Sequence, residues 1–250
     1  MALPKIFKPK KNYKLVRVGR SNDGGYLVTK SSIIKANTLI SFGISSDCSF
    51  EVDFVKFNKV NTFCYDKSIT SSYWKKKLFN DFGAVLYNFN INFFFSSLKE
   101  YINHKVFFRN KSNQLIIENI DYGSVRKILN KFNNYNFFFF KVDIEGSEYR
   151  ILEELIIFQD IICGLVIEFH DLDLHLNKVV DFIKNFKLEL THIHPNNFGG
   201  TDLNKDPKVL ELTFERSPLI NNNILILPNS LDQKNNPKED DISLNFLNYE

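Results

Sequence analysis

Short apolar runs alternate with amphipathic segments through the middle of the chain, the pattern left by βαβ units wound about a parallel sheet. The runs predict strands over residues 38–42, 62–65, 84–89, 137–142, 164–169, 188–192 and 209–214. Leu176, Val179, Val180, Ile183 and Phe186 recur at helical spacing and predict a helix over residues 172–186. A second helix is expected after Gly146, with Ile151, Leu152, Leu155 and Ile156 turned inward. The run Phe137 to Phe140 is apolar on both faces, as a central strand covered by helices on each side must be.

Composition narrows this picture. With 44% hydrophobic residues and 26 Phe, the chain can bury one substantial core, which excludes wholesale disorder. The core is expected to occupy residues 36–220, preceded by an extension over 1–35 that packs on it. It is followed by a tail over 221–250, whose Asn, Lys and Asp content predicts a loose segment. A net charge of +3, from 32 basic and 29 acidic residues, is too small to require a polyanionic partner, so nucleic acid is not expected. Cys48, Cys64 and Cys163 are widely spaced, odd in number and set in apolar stretches, which fits reduced core thiols. The lysine-rich start leads into no apolar segment and no run reaches 18 apolar residues, so a cytoplasmic protein without a membrane span is expected.

In open α/β sheets ligands bind beyond the carboxyl ends of the strands, so the residues after each apolar run carry the chemistry. After the first run, Gly43 would let a ligand approach the backbone, and Asp47 or Ser49 could cap the next helix. Ser45 and Cys48 stand where a GxGxxG loop needs glycine, which disfavours a grip on pyrophosphate. Asp66 ends the second run and could accept two hydrogen bonds from a ribose, whether of a nicotinamide cofactor or of S-adenosylmethionine.

The fourth run ends in Lys141-Val142-Asp143-Ile144-Glu145-Gly146-Ser147-Glu148. Asp143 and Glu145 point the same way in an extended backbone. They could orient a hydroxyl, accept its proton, hold an ammonium or coordinate a cation; the plainer role, a helix N-terminal acid, suits Glu148 better. The next two strand ends bring Glu168 and His170, then His192, His194, Asn196 and Asn197. Three of the five histidines thus gather at strand ends, where a neutral imidazole can act as base for a hydroxyl or as a metal ligand.

At these residues the sequence resembles the FkbM family of methyltransferases. The likeness rests on the acidic turn from Lys141 to Glu148, on Gly19-Arg20-Ser21-Asn22-Asp23-Gly24-Gly25-Tyr26-Leu27-Val28, and on the loop from Ser41 to Glu51. The resemblance implies a Rossmann-like methyltransferase fold, α/β with a mostly parallel seven-stranded sheet, and S-adenosylmethionine as donor. It also implies O-methylation of a sugar, nucleotide-linked or a surface-polysaccharide precursor. The cofactor is then expected against Asp23, Tyr26, Gly43, Ser45, Asp47, Ser49, Asp66 and Asp143, and the acceptor against Glu168, Asn196 and Asn197. Catalysis is expected from His170, His192, His194, Asp143 and Glu145, with Asp143, Glu145 and His170 as candidate ligands should a divalent metal take part. An NAD-dependent sugar oxidoreductase and a non-enzymatic nucleotide-sugar or carbohydrate-binding module are the alternatives.

Overall fold

The computed structural model describes residues 2–88, 92–132 and 137–247. The chain begins with β1 (Asn12–Tyr13) and a hairpin of β2 (Leu15–Val18) and β3 (Tyr26–Thr29). It continues through α1 (Lys30–Lys35), β4 (Thr38–Phe42), α2 (Ser49–Phe57) and β5 (Asn61–Tyr65) to two long helices, α3 (Ser71–Asn88) and α4 (Asn92–Arg109). Then come β6 (Asn113–Ile116), α5 (Ser124–Leu129), β7 (Phe138–Val142), α6 (Leu152–Ile157), β8 (Ile162–Phe169), α7 (Leu172–Asn185), β9 (Glu189–Pro195), β10 (Leu210–Glu215) and β11 (Ile220–Asn221).

Seven of these strands form one sheet in the order β6-β5-β4-β7-β8-β10-β9. The strands from β6 to β8 run parallel, and β10 is antiparallel to both its neighbours. Counted within the sheet, the order is third, second, first, fourth, fifth, seventh, sixth, with the seventh reversed. This is the Rossmann-like methyltransferase fold. Its strand order reverses between β4 and β7, which opens a crevice at their carboxyl ends.

The central strand shows why the sheet is buried on both sides. Phe138, Phe140 and Val142 alternate into the core under α5, α6 and α7, while Phe139 points the other way. There it meets Phe50, Phe54 and the β2–β3 hairpin residues Val18, Tyr26 and Val28. Gly164 on β8 leaves room for this packing, since a Cβ there would lie 2.3 Å from the Phe139 ring. The helix α7 turns Leu172, Val179 and Phe182 inward, and Leu176, Val180 and Ile183 pack at its margin.

One expected strand is not formed. Residues 84–88 belong to α3, and Phe89 lies outside the described residues. The third strand of the sheet is β6, which pairs with β5 at the sheet edge. A short apolar run such as Ala84-Val85-Leu86 reads alike as helix or strand. β6 is hard to see because only Asn113 in it is fully buried.

Residues 222–247 have little regular structure and make contacts with the rest of the chain. Leu3 pairs with Phe246, Asn22 Nδ2 donates to the carbonyl of Lys234 at 2.7 Å, and Asn235 is buried. Asn235 donates to Glu211 at 2.7 Å and Asp232 contacts His192 at 2.8 Å. All three cysteines are free and buried, and no helix among the described residues is long and apolar enough to cross a membrane.

Candidate active site

A cavity of about 280 Å3 opens at the carboxyl ends of β4, β5, β6 and β7. Gly43, just past β4, holds φ at +72°, and a Cβ on it would fall 1.6 Å from the carbonyl oxygen of Asp143. Its missing side chain therefore serves the crossing of two backbones, where the sequence suggested the approach of a ligand. Ser45 follows with φ +47° and turns its amide to Asp66 Oδ2 at 2.9 Å. Asp66 Oδ1 accepts from the amide and hydroxyl of Ser68, at 2.7 and 2.6 Å, so one carboxylate knits the two loops together. Glu118, Asn119 and Ile120, which follow β6, complete the wall. They escaped sequence reading because the strand before them was placed elsewhere.

The cavity is acidic. Asp66, Glu118, Asp143 and Glu145 line it with one lysine, Lys67, and Lys127 reaches Glu118 from outside at 2.6 Å. Beneath it lies Lys141, buried, with Nζ 3.5 Å from Asp143 Oδ2 and 3.1 Å from the Gly43 carbonyl. Burial opposes its charge, but Asp143 and Glu51 outweigh that and raise its pKa. Glu51 is itself wholly buried, hydrogen-bonded to Ser41, and pushed up by burial although Lys141 pulls it down.

Deeper along the sheet a second group converges. The Tyr26 hydroxyl stands 3.4 Å from both Asp143 Oδ2 and Glu168 Oε2. His170 sits between carboxylates: Nδ1 is 3.0 Å from Glu148 Oε1, and Nε2 is 3.3 Å from Glu168 Oε1 and 3.5 Å from Glu145 Oε2. Burial works against a charged ring, yet hydrogen bonds to Glu148 and Glu168 prevail and push His170 up to about 11. Burial, with Asp143 adding its charge, raises Glu168, and its hydrogen bond to His170 opposes the rise. The ring has a carboxylate at each nitrogen. Glu148 is wholly buried and fixed by the amides of Ile144 and Gly146, at 3.0 and 3.2 Å.

The remaining expected residues lie apart from the cavity. Asp47 spends its carboxylate on the amide and hydroxyl of Ser49 and on Arg20, at the start of α2. Asp23 accepts from Asn196 at 3.4 Å and from Asn235 at 3.3 Å, and Asn196 also donates to Glu168 at 3.1 Å. Asn197 binds the tail through the backbone of Asn236 and Asp240. His192 and His194 are buried on β9: the first pairs with Asp232 of the tail at 2.8 Å, the second with Glu211 at 3.4 Å. Of the three histidines, only His170 joins the acids at the cavity. Among the described residues, the group whose ligand atoms approach one another closely enough for a metal is Asp143, Glu168 and His170. Glu168 thus stands where the sequence suggested Glu145, whose side chain is 86% exposed.

No protein-family model and no curated protein sequence matches the chain. Solved structures resemble it only distantly. Precorrin-6y C5,15-methyltransferase from Geobacter metallireducens GS-15 is 12% identical, with a TM-score of 0.39 over 76% of this chain and 85% of that one. An rRNA methylase from Streptococcus thermophilus is 8% identical, with a TM-score of 0.38 over 76% and 93%. TrmK of M. capricolum, in complex with S-adenosyl-homocysteine, is 12% identical, with a TM-score of 0.34 over 78% and 70%. The fold assignment rests on the strand order.

Proposed function

We propose that the chain is an S-adenosylmethionine-dependent methyltransferase that methylates a hydroxyl of a sugar, nucleotide-linked or a surface-polysaccharide precursor, as its resemblance to the FkbM family implies. The observation that carries this reading is the acidic lining of the crevice at the switch point, where Lys127 pairs with Glu118 and Lys141 with Asp143 while Asp66 makes no ion pair among the described residues. The donor bears a sulfonium and an ammonium, which such a lining attracts. The missing glycine-rich loop points the same way and disfavours an NAD-dependent oxidoreductase.

The residues fit the donor. Asp66 keeps one lone pair of Oδ2 free for a ribose hydroxyl after its bonds to Ser45 and Ser68. Asn119 and Ile120 offer an amide and an apolar face to a base, and Asp143 a carboxylate to an ammonium. The bound donor supplies an electrophilic methyl on a sulfonium. The chain must hold the acceptor oxygen in line behind that methyl and exclude water, which supplies much of the rate. An alcohol is a poor nucleophile until its proton leaves. Glu145 and Glu168 stand beside His170 Nε2, where that proton can go, and the ring, contacted by carboxylates at both nitrogens, steadies them.

Incubation with methyl-labelled S-adenosylmethionine and a panel of sugars, nucleotide sugars and oligosaccharides tests the reading. Label on a hydroxyl oxygen of a sugar is expected. Label only on nitrogen, carbon or RNA would replace the acceptor class.

A further inference from the structure

We propose that Asp143, Glu168 and His170 form a binding site for one divalent cation. The inference concerns the same crevice as the methyl-transfer reading but does not depend on it.

A ligand atom from each of the three residues lies within 4.8 Å of the others. Ligands about 2.0 to 2.2 Å from an ion lie about 3 to 4.4 Å from one another, so the three atoms have to draw together to hold one. The set is mixed, two carboxylates and one imidazole. Its imidazole is held as metal-ligating histidines are held, with the far nitrogen on a carboxylate: Nδ1 on Glu148 Oε1 at 3.0 Å. Glu148 is wholly buried on the Nδ1 side of the ring, and its Oε2 has no hydrogen-bond partner.

Two further observations show the acids short of positive partners. The Tyr26 hydroxyl reaches Asp143 and Glu168 only at 3.4 Å, whereas a hydroxyl bound to a carboxylate sits at about 2.5 to 2.7 Å. His170 Nε2 has two carboxylate oxygens before it, at 3.3 and 3.5 Å, and one proton to offer. Asp143, Glu148 and Glu168, with Glu145 at the exposed edge, thus outnumber the basic side chains beside them, Lys141 and His170. A divalent cation held by Nε2 and the two carboxylates would supply the positive charge these acids lack. Oxygen-rich ligation with one imidazole suits Mn2+ or Mg2+ better than soft metals. Positions left to water can admit an acceptor hydroxyl, which the ion would polarise.

The test titrates MnCl2 into the chelator-treated full chain, read by calorimetry and by the electron paramagnetic resonance of free Mn2+. One bound ion per chain is expected, with affinity lowered at least about tenfold in Glu168→Gln and in His170→Gln, and lowered likewise in Glu148→Gln through the lost support of the ring. Each variant is checked for a cooperative thermal transition. Asp143→Asn, at the more exposed edge of the cluster, replaces any that fails to fold. Absence of binding by the folded wild type, or equal affinity in the folded variants, overturns the site. S-adenosylhomocysteine titrated into the same samples separates the two readings: its binding without Mn2+ binding rejects only the ion, and Mn2+ binding without it rejects only the donor.

Discussion

The carboxylate of Asp66, at the end of β5, accepts the backbone amide of Ser45 at 2.9 Å and so anchors the loop that follows β4. Ser45 holds a left-handed φ of +47°, which costs roughly 1 to 2 kcal/mol for a residue with a side chain, and this hydrogen bond helps offset the cost. One acid thus shapes the loop and, on the proposed function, meets the ribose. Asp66→Ala is expected to weaken S-adenosylhomocysteine by about 1 to 3 kcal/mol in calorimetry. Unchanged affinity in a folded variant would remove Asp66 from the site.

Two glycines with similar φ separate backbone strain from backbone contact. Gly43 and Gly123 hold φ at +72° and +80°, but a Cβ on Gly43 meets the Asp143 carbonyl at 1.6 Å and one on Gly123 meets nothing within 4 Å. Gly123→Ala is expected to cost roughly 1 to 2 kcal/mol in urea unfolding, from conformation alone. Gly43→Ala should cost more, roughly 3 kcal/mol or above, because two sheet ends must part. Equal losses would show that the crossing of β4 and β7 is soft.

Lys141 neutralises acids that cannot leave the core. Replacing it by Met keeps the length and removes the charge, leaving Glu51 and Asp143 without their cation. A loss of roughly 3 to 5 kcal/mol at pH 7 is expected, the usual result of breaking a buried pair from one side. Wild-type stability in urea would mean that the acids take up protons at little cost.

The contact of His192 with Asp232, at 2.8 Å, clamps the tail. Burial raises the Asp232 carboxyl, but its hydrogen bond to His192 and the charges of His192 and His194 prevail and hold it below its ordinary value. A depressed carboxyl pKa stabilises the fold above its unfolded value, about 3.9, and that stability is lost as pH falls through the lower folded value. Asp232→Asn should therefore melt below the wild type at pH 7, and the two melting temperatures should converge as the pH is lowered below about 4. A gap that persists into acid would assign the effect to shape and not to charge.

The fold was legible where hydrophobic runs are long and central. Phe138 to Val142 is buried on both faces, and such a run has no other place to go. It was illegible at the edge, where Asn113 to Ile116 buries a single residue fully while an apolar piece of α3 resembles a strand. The placing of Asp66, Asp143 and His170 at the candidate site was legible, because acids and imidazole directly after apolar runs fall at strand ends. Lys141, Glu118 and Asn119 were not, since a lysine inside a strand reads as solvated and the strand before Glu118 was misplaced. His192 and His194 alternate as a catalytic pair would, but the tail that covers them packs through polar contacts that composition does not reveal.

The central claim is that the acidic crevice at the switch point receives S-adenosylmethionine. Calorimetric titration of the full chain with S-adenosylhomocysteine, and separately with NAD, measures it directly. The account predicts saturable binding of S-adenosylhomocysteine at one site per chain, weakened in Asp66→Ala, and no binding of NAD at millimolar concentration. Binding of NAD with none of S-adenosylhomocysteine would contradict it.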